Sequence, residues 1–129
     1  MVDHELFGVR RTAYTRPIPS ANTSIQLVTA RWKDNRRLRL KKVLITNRVG
    51  NQGIVRIWDQ DLNDPSVPST GSAGSAILEL GVDRVAASGT GAVTAVYDEL
   101  SLPNISFQAG IALQVSEVNM SVAVEYEVY

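Results

Sequence analysis

From Met120 to Val128 the chain alternates without a break, with Met120, Val122, Val124, Tyr126 and Val128 on one parity and Ser121, Ala123, Glu125 and Glu127 on the other. Successive side chains of a strand point to opposite faces, so a strict period of two sends one set into a core and the other to water. A helix would scatter the same residues around its axis. Just upstream, Ile111, Leu113 and Val115 alternate with Ala112, Gln114 and Ser116, and a short turn at Val118 and Asn119 joins the runs. The pair reads as a hairpin. A chain with such a segment must supply other strands to cover the apolar face.

The stretch Leu38 to Asp59 is the first candidate for that cover. LRLKKVLITN and IVRIWD flank RVGNQG, and two β-rich segments around an Asn/Gly connector read as a second hairpin. Leu38 and Leu40 alternate with Arg39 and Lys41, and then Val43, Leu44 and Ile45 run together. The phase slips near Lys41 and Lys42, as a β-bulge or a change to a doubly covered strand would make it do. Val55 and Ile57 share one face of the return strand; Ile54, Arg56 and Trp58 share the other, which places Trp58 under a loop or at an interface. IQLVTARW (25–32), ILELGV (77–82) and AVTAVYD (92–98) read as further strands. The Pro, Gly and Ser rich run 60–76 is a long loop, and LSLPNISFQAG (100–110) turns the chain at Pro103 and Gly110. Residues 1–24, with Pro17 and Pro19, read as an extended arm that lies along its own body or a neighbour's, and residues 25–129 as one domain. Seven or so short strands without a convincing helix predict an all-β fold, an antiparallel β-sandwich of jelly-roll or immunoglobulin-like connectivity.

Composition narrows the function classes. A chain of 129 residues, 44% apolar, can hold a core, and with no cysteine it has no disulfide framework, thiolate nucleophile or thiolate metal site. No apolar run approaches the roughly 18 residues of a membrane helix, and MVDHELFGVRR lacks the apolar core of a signal peptide. The expectation is a soluble protein made in the cytoplasm, with no membrane partner. The single His4 sits in the arm, away from any acid–base set, and Asp98 and Glu99 are neighbours that a strand would point apart. No enzyme activity and no cofactor are expected. Asp59, Asp61 and Asn63 have the spacing of the first oxygen ligands of a calcium loop, but Asp64 and Thr70 stand at its diagnostic Gly and Glu positions, so no metal is expected there either. RWKDNRRLRLKK could track phosphates, yet the chain is neutral with pI about 6.6, and a dedicated nucleic-acid binder is not expected.

That neutrality hides a division. Residues 1–48 hold eleven basic residues against three carboxylates, a net +8, and the remainder holds two against ten, a net −8. Either the molecule presents a basic surface to an acidic neighbour, or strands of the two halves interleave and mix the charges.

Thr46 and Asn47 end a strand before a Gly/Asn turn, Asp59 closes the next, and ISFQAGI (105–111) precedes the final strands. In these features residues 38–129 resemble the small β-sandwich structural proteins of tailed bacteriophages, above all head decoration, or cement, proteins. The resemblance implies a capsid-stabilising protein on the outer surface of the virion, assembled in the host cytoplasm. It also implies a homo-oligomer, commonly a trimer, with the major capsid protein as partner. The arm and the basic turn lie outside the resemblance; our reading adds Arg10, Arg11, Arg16, Arg36, Arg37, Arg39, Lys41, Lys42 and Trp58 as contacts with the capsid or a neighbouring copy. A tail, neck or fibre component would share the sandwich. A carbohydrate-binding module would need an aromatic platform, for which Trp32, Trp58 and Tyr97 are available.

Overall fold

The computed structural model describes residues 9–29, 37–62, 76–86 and 91–129. They form nine strands: β1 (Val9–Tyr14), β2 (Ile25–Thr29), β3 (Leu38–Asn47), β4 (Gly53–Asp59), β5 (Leu78–Val82), β6 (Val93–Tyr97), β7 (Ser106–Phe107), β8 (Gly110–Val115) and β9 (Ser121–Val128). One sheet has the order β1-β9-β3-β6, with the short β7 also beside β3, and the other has the order β2-β8-β4-β5. All pairings are antiparallel. The stretch read as an arm contributes β1, laid along β9 with Val9 opposite Val128 and Tyr14 opposite Ala123.

The order of pairing decides the connectivity. β1 pairs with β9, β2 with β8, β3 with β6 and β7, and β4 with β5, so the first half of the chain pairs with the second half in reverse order. A ribbon folded at the β4–β5 tip and wrapped into two facing sheets is a jelly roll. An immunoglobulin-like sandwich keeps its first two strands in one sheet; here β1 and β2 lie in opposite sheets.

This overturns both expected hairpins. β3 and β4 belong to different sheets, as do β8 and β9. Residues 48–52 need span only the ~10 Å between sheets, well within the reach of five residues. Asn119, at φ 61°, turns the chain at the other corner. Alternation and turn residues look the same whether the next strand lies beside or opposite, which is why the sequence reads as hairpins.

The alternation itself is realised as expected. Leu38, Leu40, Val43 and Ile45 of β3 and Val122, Val124, Tyr126 and Val128 of β9 face Val55, Ile57, Ile111, Leu113 and Val115 of the second sheet across one buried core. The β3–β9 register shifts between Leu40 and Lys42, so the slip at the lysines is a β-bulge. It lets both Lys41 and Lys42 follow Leu40 outward before Val43 returns to the core. β7, in a stretch read only as a turn, covers the end of β3 with the fully buried Phe107.

β8 is buried at every position, because the outer face of its sheet is covered too. Gln114 donates to the Asn22 carbonyl at 2.9 Å, and Gln26 holds residues 60–62 by donating to Gln60 O at 2.9 Å and accepting from Leu62 N at 2.7 Å. Gly110 is where this close layering leaves no room. Its φ is +146°, and an added Cβ would sit 2.3 Å from the Val28 carbonyl oxygen. We expect Gly110→Ala to lose at least ~2 kcal/mol in urea unfolding, since backbone cannot yield as a flexible side chain can. Gly50→Ala, with open space around it, should stay within about 0.5 kcal/mol of the parent.

Candidate functional site

The second sheet's outer face is covered over β8 while Glu79 of β5 stays exposed, and the broader open surface is the outer face of the first sheet. Register sets its side chains in rows across the strands. Arg10, Glu127, Arg39 and Ser106 make one row; Thr12, Glu125 and Lys42 the next; Tyr14, Ala123, Leu44 and Val96 the third; Ser121, Thr46 and Thr94 the fourth. The face grades from charged to apolar to hydroxyl-bearing along the strands.

At the charged end the two halves of the sequence neutralise each other. Arg10 donates to Glu125 at 2.7 Å and to Glu99 at 2.6 Å, and Lys41 lies 3.8 Å from Glu99 and 3.9 Å from Glu127. Arg39 stacks on the Tyr129 ring at 4.4 Å, and the Tyr129 hydroxyl hydrogen-bonds with Ser106. That hydrogen bond, with Arg39 beside it, holds the phenol below its ordinary pKa against the opposing effect of burial.

The expected contact residues therefore separate. Arg10 and Lys41 are held by carboxylates of the same chain, and Arg39 by an aromatic ring. Arg11, Arg16, Arg37 and Lys42 are exposed and make no ion pair among the described residues. Arg36 lies outside them. Trp58, expected at a partner contact, is corrected by its position: it is 2% exposed, covered within the chain, and presents no face to a partner or a sugar. Trp32, of the same possible sugar platform, lies outside the described residues.

Residues that look like chemistry in the sequence serve the turns. The Asp59 carboxylate accepts the backbone N–H groups of Gln108 (3.1 Å), Ala109 (2.8 Å) and Gly110 (3.3 Å), so its lone pairs face donors where a cation would need them free. Asp61 is half-buried, and Asn63 lies outside the described residues. The fully buried Asn47 donates to Asn51 O at 2.7 Å and Asp83 O at 3.0 Å, fixing the β3–β4 corner. Thus two features of the phage-protein resemblance, Asp59 and the 105–111 stretch, are one contact. Asp98 caps its own turn through Leu100 N, Ser101 N and the Ser101 hydroxyl, while Glu99 turns to Arg10. His4 lies outside the described residues; among them, no three His, Cys, Asp or Glu side chains are grouped to hold a metal. The sequence reading missed Glu99, Glu125 and Glu127, for which the acidic second half was the signal, and Gln26, for which there was none.

No protein-family model matches the chain, and no curated protein does. Two solved structures of the tobacco streak virus coat protein, the second of a dimer, are similar to it at 10% identity, each covering 99% of this chain and 86% of the other, with TM-scores of 0.40 and 0.37. At that identity and TM-score the likeness bears no weight for function.

Asp59→Ala leaves backbone donors unpaired and should cost about 2 kcal/mol in chemical unfolding, with Asp59→Asn costing less. Calcium should give the parent protein neither binding heat nor a rise in Tm. The Ser101 N–H and hydroxyl hold the Asp98 carboxyl below its ordinary pKa. Its contribution to stability is thus present above about pH 4 and is lost as pH falls through the lower folded value. Asp98→Asn should flatten that part of the stability–pH curve, lowering stability at neutral pH and changing little at acid pH, where the carboxyl's contribution is already lost.

Proposed function

We propose that this chain is a structural protein of a virus particle that binds the outer surface of an assembled capsid and stabilises it, as the decoration proteins of tailed bacteriophages do. The observation that carries this is the jelly roll whose first sheet leaves its outer face open, with Tyr14 and Val96 exposed on it. Among the described residues, Asp59 and Asp98 are engaged by turns, and Glu99, Glu125 and Glu127 by cations of the same chain. Such a molecule acts by presenting surfaces. Jelly rolls recur in capsid proteins and lectins; burial of Trp58 disfavours the sugar-binding use, and the resemblance of residues 38–129 favours the virion.

The mechanism is linkage. A copy that touches more than one capsid subunit binds the assembled shell and not its separated parts, so its binding free energy adds to the work of pulling subunits apart. Of the expected contact residues that are described, Arg11, Arg16, Arg37 and Lys42 are the cations left for acidic groups on the shell. Guanidinium and ammonium groups outside in-chain pairs can steer docking and fix its register.

The test is co-sedimentation of the purified protein with shells of its own virus's major capsid protein that lack it. Saturable binding of many copies per shell and a higher shell disassembly temperature are expected. Reversing Arg11, Arg16, Arg37 and Lys42 to Glu should weaken binding at least about tenfold, and more strongly at low salt than at high. A few copies per particle would place the protein in the tail or neck instead, and no binding at all would end the reading. Deleting residues 1–20 is a poor substitute, because it removes β1 from its sheet.

A further inference from the structure

A sandwich exposes four sheet edges, and each is a template for another strand unless something blunts it. Here three are blunted. β1 carries Arg10 and Arg11, β2 is bulged between Gln26 and Val28, and β5 carries Glu79 and a glycine. The fourth edge, β6, reads Val-Thr-Ala-Val-Tyr. It has no charge and no proline, and its five residues pair with β3 in unbroken register. Among the described residues β6 ends its sheet, so the N–H and C=O groups on its outer side have no strand partner. Val96 is 55% exposed on the open face, and Leu100, in the turn after the strand, is 96% exposed.

We propose that β6 pairs antiparallel with β6 of a second copy of this chain, joining two five-stranded sheets into one across a two-fold axis at Ala95. The occupant follows from the composition of the edge. A two-fold axis sets each side chain near it against the same surface of its copy, so any charge there meets its own sign. β6 and its row neighbours Leu44 and Thr46 carry none. With Ala95 on the axis, Val93 stands opposite the partner's Tyr97 and Thr94 opposite the partner's Val96. Aromatic with β-branched and β-branched with β-branched are both favoured cross-strand pairs. A foreign strand recognised by charge would choose β1 or β5. The third row of the open face would then run from Tyr14 through Ala123, Leu44 and Val96 to the hydroxyl row of the second copy. Such pairing gives a dimer where the phage-protein resemblance implies a trimer, and it holds whether or not the protein binds a capsid.

Light scattering coupled to size-exclusion chromatography tests this on the full chain. The parent should run as a dimer at micromolar concentration. Val96→Lys, at an exposed position, should weaken the dimer at least about tenfold by placing an ammonium in the pairing edge, while Thr12→Lys on β1 should not. Because the chain has no cysteine, Ala95→Cys gives an independent reading. A cysteine on the axis should cross-link the dimer under mild oxidation, and Thr12→Cys should not, since bridged Cα atoms must lie within about 7 Å. A parent that is monomeric at all concentrations, a trimer, or a dimer indifferent to Val96→Lys with no Ala95→Cys cross-link would each overturn the proposal. If Val96→Lys fails to fold by circular dichroism, the cross-link decides.

Discussion

The structure depends on the pairing of the chain's first half with its second. β1, β2, β3 and β4 each lie beside a strand from the other half, and the charge division of the sequence follows the same line. Residues 1–48 carry a net +8 and the remainder a net −8, and among the described residues Arg10 and Lys41 of the first meet Glu99, Glu125 and Glu127 of the second. Arg10 opposes Glu127 and Lys42 opposes Glu125 across that division, and within the remainder Arg56 donates to Glu79 at 3.0 Å. Opposite charges facing each other across a ladder favour the correct pairing, and a slipped or homotypic pairing would bring like charges together. Part of the polarity that suggested a basic docking surface, at Arg10 and Lys41, serves to match the two halves.

A second layer of control sits at the corners. A jelly roll crosses between its sheets repeatedly, and each crossing leaves backbone groups that no ladder satisfies. Asn47, Asp59 and Gln26 supply the missing partners. Each binds backbone from a distant part of the chain, so each closes a corner and also fixes where another segment lies. This use of carboxylate and amide groups explains why the sequence shows chemistry-like residues with no convergent site.

Much of this was legible. The period-two run at 120–128 marked a strand with one wet face, and the phase slip at Lys41 and Lys42 marked the bulge; the run at 111–115 marked its strand and inner face, but the side expected to be wet is buried as well. The partner of each strand was not legible: β3–β4 and β8–β9 looked like hairpins, since a two-sheet corner and a β-turn use the same residues. For Trp58 the sequence offered cover by a loop or a place at an interface, and its burial within the chain agrees with cover and not with the partner contact. The candidate surface was legible as a set of basic residues. Which of them remain free was decided by Glu99, Glu125 and Glu127, whose positions opposite them exist only in the fold.

The pairing of Val9 with Val128 has a consequence in time. A ribosome makes β1 before any other strand named here and β9 after all of them, so β1 must wait for nearly the whole sandwich before it finds its place. Contacts of such sequence separation pay their loop-closure entropy early and are rewarded late. Until then the first sheet lacks its central β9, and the apolar face of β3 stays open to chance encounters. The two arginines on β1 are well placed for that interval, since a charged strand is a poor template for aggregation while it waits.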